Sequence, residues 1–182
     1  MARLPVYCQL RVQVDGVSSS GLQCTPCGKT VPGCCNHDTY GSIQSEDGPL
    51  CRTIGAEADV VRFFWRSSFH GIAMVRVAQR DSEIALTWRY EPQFVSRRTR
   101  GAVRVSPEDW ERLQLTFERK GFWQLQEEPN RLILDGASWL IERRQHDLHH
   151  AVTRRSPAAE LQRIGHLLFL LAGAPLSQVE LY

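Results

Sequence analysis

Lysine is nearly missing from this chain: Lys29 and Lys120 are the only two, and arginine supplies the rest of the 22 basic residues. Set against 20 acidic residues this leaves a formal net charge of +2, so the skew is in residue type, and genome composition suffices to explain it. A long apolar run is missing too. The longest, residues 167–175, covers half of the roughly 18 residues that a helix needs to cross a bilayer, which excludes a helical membrane span. No secretory leader is encoded, because residues 1–10 alternate polar and apolar where a leader needs a basic stretch and then an unbroken apolar one. The chain is therefore read either as cytoplasmic or as a mature sequence whose leader has been removed. Also absent are the Gly-x-x-x-x-Gly-Lys-Ser/Thr loop, the Gly-x-Gly-x-x-Gly turn between strand and helix, and the Gly-x-Ser-x-Gly elbow, which removes the commonest nucleotide and hydrolase signatures.

What is present is enough for a folded core. The 182 residues are 42% hydrophobic and carry aromatic residues along their length, which suits one domain over 1–182 and excludes disorder over most of it. Leu4, Val6, Cys8, Leu10, Val12 and Val14 alternate with polar residues and stop at Asp15-Gly16, the pattern of a half-buried strand. Residues 16–59 are rich in Gly and Pro, lack periodicity, and read as an insertion that something must tie down. Strands are expected over 60–66, 72–80 and 83–90, the last two joined at Asp81-Ser82, with Ile84, Leu86, Trp88 and Tyr90 on one face. A basic loop over 92–100 and a short strand over 102–105 follow.

Ser106, Pro107, Glu108 and Asp109 are the cap, first position and first turn of a helix over about 106–120, with Trp110, Leu113 and Phe117 inward and Gly121 as terminator. Residues 137–144 and 147–155 read as strands, 157–171 as a second helix with Leu161, Ile164 and Leu168 inward, and 173–182 as an extended tail. Strands grouped in runs predict an α+β fold: one largely antiparallel sheet packed by two helices, with the Cys-rich insertion near the N-terminus.

Five of the six cysteines crowd that insertion. Cys24-Thr25-Pro26-Cys27-Gly28 has the form of half a zinc ribbon, while Cys34-Cys35-Asn36-His37 and Cys51 do not complete a second knuckle. Cys24, Cys27, one of Cys34 or Cys35, and His37 or Cys51 would make a tetrahedral set for one structural zinc. Disulfides explain the same residues, with Cys8 as an anchor, and rank ahead of zinc; free thiols come last. Disulfides would place the protein in the periplasm or outside the cell, and zinc in the cytoplasm. Either way the cluster reads as a staple before a catalyst, since Asp38, Glu46 and Asp47 are more simply a solvated acidic loop.

Two other groups are candidates. His146, His149 and His150 precede Arg154-Arg155; on a strand His149 and His150 diverge, so a metal site here uses His146 with His150 or recruits His70 or His166 from elsewhere, and an enzyme built on it would draw on His70 and Glu142. Arg97, Arg98, Arg100 and Arg104 form one basic stretch and Arg143, Arg144, Arg154 and Arg155 another. With a net charge of only +2 a phosphate-driven nucleic-acid footprint is not expected, and a protein contact by Arg97, Arg98, Arg100, Trp88 and Tyr90 is.

The run Asp135-Gly136-Ala137-Ser138-Trp139-Leu140-Ile141-Glu142, then His150, then Arg155-Ser156-Pro157, together with Phe69-His70 and Phe122-Trp123, resembles small uncharacterised bacterial domains, many exported or lipoprotein-like. The resemblance spans about residues 60–172. It implies one α+β domain in an extracytoplasmic setting and carries no activity with it. The residues also allow a cross-strand ion pair between Glu142 and Arg155. The reading that follows is a non-enzymatic protein-binding module, in its narrowest form an immunity-type inhibitor of a secreted toxin. A metal-dependent enzyme using His146 and His150, and a zinc-stapled nucleic-acid binder, are the alternatives.

Overall fold

Along residues 59–67 almost every side chain is apolar or paired, which is how a strand covered on both faces reads, and this segment is the interior strand β1 (Asp59–Ser67). A computed structural model describes residues 59–94, 98–125, 136–146, 148–155, 159–179 and 181. After β1 come β2 (Gly71–Arg80), β3 (Glu83–Pro92), β4 (Thr99–Arg104), α1 (Pro107–Arg119), β5 (Ala137–Gln145), β6 (Leu148–Arg155) and α2 (Ala159–Ala172). Short 3-10 turns follow the helices at Phe122–Gln124 and Leu176–Gln178. The strands form one six-stranded sheet in the order β4-β3-β2-β1-β5-β6, antiparallel throughout. The expected α+β architecture is therefore the observed one. Residues 4–14 and all six cysteines, with His37, lie outside the described residues.

Register follows from two-residue turns. Arg80 pairs with Glu83 around Asp81-Ser82, and Gln145 pairs with Leu148 around the next hairpin. Asp81 and His146, at φ 52° each, take the left-handed conformation that such turns require. Side chains alternate, so β1, β2, β3 and β5 turn Phe63, Trp65, Val75, Leu86, Trp139 and Ile141 to one face. Both helices pack there: α1 buries Trp110, Leu113 and Phe117, and α2 buries Leu161, Ile164 and Leu168. None of the described helices is long and apolar enough to cross a membrane.

Three details differ from expectation. β4 begins at Thr99, three residues before the expected start, because Thr99 pairs with Tyr90 and Arg100 and Arg104 take outward positions within a strand. The tail is not extended: Leu176–Gln178 coil as a 3-10 turn after the cis Ala174–Pro175 bond, and Leu176 is buried in the core. Arg155 stands opposite Ser138, four residues out of register with Glu142, which pairs instead with Arg62 on β1.

Candidate functional site

His70 ends the turn after β1, while His146 sits in the turn beyond Gln145, which pairs with Asp59 at the other end of that strand. The rise of a strand separates those ends by about 27 Å, so His70 cannot share an ion with His146. His150 points to the helix face of β6, where Nε2 donates to the Leu125 carbonyl at 3.0 Å and the ring meets Phe122 edge-on at 5.2 Å between centroids. Burial holds its pKa below the usual histidine value, aided by the charges of His149 and Arg154, so the ring is neutral and engaged. His149 faces the other way, with Nε2 3.9 Å from Glu142 Oε1. Among the described residues no three His, Cys, Asp or Glu side chains are grouped to hold a metal.

The protein-contact candidates are split by the sheet. Trp88 is buried, its indole lying on Gly101, where an added Cβ would come within 2.7 Å of the ring. Tyr90 shares that face and donates its hydroxyl proton to the His70 carbonyl at 2.8 Å; burial pushes its phenol pKa up. Both are parts of the core and its margin. Arg100, opposite Arg89, projects from the other face, and Arg98 is exposed beside Glu91 at 3.0 Å. Arg97 lies outside the described residues.

Pairing register reveals what linear reading missed. Directly opposed residues share a face, so Arg62, Arg66, Arg76, Arg80, Arg89, Arg100, Arg104, Arg144 and Arg155 all project from the face that the helices do not cover. Every strand contributes. The acidic residues among them are Glu83, Glu91 and Glu142, and among the described strands the helix-side charges are Asp59, Arg143 and Arg154. A sequence signal existed: Arg62 and Arg66, Arg76 and Arg80, and Arg100 and Arg104 are each four apart, an even spacing that keeps a pair on one face of a strand.

The two halves of this face differ. Over β1, β5 and β6 it is closed, with Val60, Arg62, Phe64, Leu140, Glu142 and Ala151 buried although neither helix lies there. Arg62 and Glu142, at 2% and 1% exposure, form a buried ion pair whose guanidinium and carboxylate answer one another across neighbouring strands. Over β3 and β4 the face is open: Ala85, Thr87, Arg100, Ala102 and Arg104 are exposed. Arg104 reaches Glu83 at 2.9 Å, an exposed pair that adds little stability. The turn end of the sheet also exposes Phe69 (54%) and Phe94 (83%), where Gln93 N donates to the His70 carbonyl at 3.3 Å.

On the helix face, Arg143 pairs with Asp59 at 3.0 Å, also reaches Gln114, and stacks on Phe117 and Trp123 at 5.1 and 5.3 Å. Burial pushes the Asp59 carboxyl up, while Arg143 and Gln114 pull it back. This network binds α1 to β1 and β5 and is closed to solvent. No family model and no curated protein matches the chain.

Proposed function

We propose that this chain is a non-enzymatic protein-binding module that holds an acidic protein partner against the open β3–β4 half of the arginine face. The observation that carries the reading is the arginine array ending at two exposed rings, Phe69 and Phe94. Exposed aromatic and guanidinium groups side by side are the composition of interface hot spots, and a charged array of one sign steers a partner of the other. Arg100, Arg89 and Arg98 supply the charge; Ala85, Thr87 and Ala102 leave a flat floor between them. A polypeptide suits this floor better than a nucleic acid does, because Glu83 and Glu91 stand among the arginines and would meet phosphates. Among the described strands β4 is an edge, so an extended segment of the partner can also pair with its outer rim. Inhibition of a secreted toxin is the specific form that the likeness to exported domains favours.

The test immobilises the full-length protein, with its thiols preserved, and exposes it to extract and culture medium of its source. The expected result is one acidic protein retained in stoichiometric amount, its affinity reduced about tenfold or more by Arg100→Glu or Phe94→Ala. Retention of DNA or RNA with steep salt dependence, or equal binding by both variants, would overturn the proposal.

A further inference from the structure

Among the described strands β4 has a neighbour on one side only, and its ladder with β3 decides which backbone groups that leaves unused. Val105 N donates to the Ile84 carbonyl at 2.9 Å, one step beyond the opposed pair Ala85 and Arg104. In an antiparallel ladder bonded positions alternate with unbonded ones. Val103, Gly101 and Thr99 therefore turn their N–H and C=O groups inward to β3, while Arg104, Ala102 and Arg100 turn theirs outward. The side chains of those three outward residues are exposed.

The two sides of this rim differ in chemistry. Arg100, Ala102 and Arg104 stand on the open face, and Arg100 lies directly opposite Arg89, a like-charge pairing that a carboxylate beside it would relieve. Gly101 and Val103 stand on the helix face. There the Trp88 indole lies against Gly101 and Val103 is 40% exposed, so this side is an apolar shelf. A strand laid antiparallel along β4 would set its residues alternately against arginine and against apolar surface, because opposed residues share a face.

We infer that the rim of β4 is a strand-addition site for an extended partner segment whose residues run acidic, apolar, any, apolar, acidic, antiparallel to β4 from Arg104 to Arg100. The inference rests on the protein-partner reading above and names what that partner presents. Its acids stand opposite Arg104 and Arg100, its apolar residues opposite Val103 and Gly101, and its middle residue opposite Ala102, whose small side chain makes no demand. Main-chain bonds supply the affinity and the alternation supplies the specificity. A second copy of this chain is a poor occupant: two β4 strands in the same arrangement set Arg100 of each against Arg104 of the other, and like charges directly opposite repel. A nucleic acid has no row of N–H and C=O groups at the spacing of a strand.

The test follows the backbone amides of the full-length protein by NMR during titration with a capped peptide centred on Glu-Val-Thr-Val-Glu. Binding is expected to slow hydrogen exchange at Arg100, Ala102 and Arg104 and to leave Gly101 and Val103, already bonded to β3, little changed. Two variants separate backbone from charge. Ala102→Pro removes an outward N–H and no bond to β3, so it should weaken binding about tenfold or more while its thermal midpoint stays near the parent's. Arg100→Glu combined with Arg104→Glu should lose the glutamate peptide and gain the same peptide with lysine in place of glutamate, an exchange that misfolding cannot produce. Equal binding of both peptides by the parent, binding unaffected by Ala102→Pro, or no binding up to about 10 mM would overturn the inference. An acidic protein captured from the extract and held as tightly by Ala102→Pro as by the parent would overturn it alone and leave the reading of the face intact; capture of no protein, with the peptide unbound, would overturn both.

Discussion

At Gly165 an added Cβ would stand 2.4 Å from Trp139 Cζ3 and 3.0 Å from Phe63 Cζ, so the helix α2 lies on the sheet at a distance only a bare backbone permits. Phe63 and Trp139 themselves meet at 5.2 Å between centroids and are fully buried, leaving neither ring room to yield. Alanine is the better helix former by about 1 kcal/mol, yet forcing a methyl group into a packed core costs about 1–3 kcal/mol. Gly165→Ala is therefore expected to lower stability by about 1 kcal/mol on balance, read as a lower urea midpoint at unchanged slope. A higher midpoint would mean that α2 slides without loss. Nothing in the sequence marked Gly165, because a close approach is a property of two elements and the glycine lies in only one. Trp88 illustrates the opposite case: its alternation with Ile84 and Leu86 was plain, but an aromatic beside arginines reads as a contact residue until Gly101 is seen beneath it.

Elements were far more legible than their mutual placement. Ser106 Oγ accepts from Asp109 N at 3.1 Å, with Pro107 in the first turn, as the run Ser-Pro-Glu-Asp indicates. Replacing that hydroxyl leaves one helix N–H without its partner, so Ser106→Ala should cost about 1 kcal/mol in urea unfolding, while Ser106→Asp should restore most of it. If Ala is neutral, the cap is redundant with solvent. Strands were readable for the same local reason, β3 by alternation over its length and β1 by a short, nearly continuous apolar run. The register between strands was not, since β1 pairs with β5 across three intervening strands and a helix, and no residue within either strand announces that partner. The arginine face is a product of that pairing, which explains why Arg97, Arg98 and Arg100 stand out in the sequence and Arg66 does not. For the same reason the sequence points Glu142 toward Arg155 when its partner is Arg62: proximity in the chain favours β6, and geometry favours β1.

Across the whole molecule, charge is segregated by face, and the few ionisable groups on the helix face couple the fold to pH. His150 is held neutral there, chiefly by burial, with its folded pKa below 6.5. In the unfolded chain it takes a proton at 6.5, so as pH falls from there toward the folded value the unfolded state gains protons that the native state refuses. Its contribution to stability is complete above 6.5 and is lost progressively below it. Asp59 acts with the opposite sign and in a more acid window: its folded pKa is raised from 3.8, so the native state takes up a proton first and gains stability as pH falls through that raised value toward 3.8. Urea unfolding of the parent and of His150→Gln, which keeps a donor for the Leu125 carbonyl but does not titrate, isolates the first effect. The difference in stability between the two should shrink as pH is lowered from about 7.5 to 5.5, the parent losing more than the variant. A constant difference across that range would mean that His150 protonates as freely in the fold as out of it, and that the ring's contacts with Leu125 and Phe122 do not exclude its charged form.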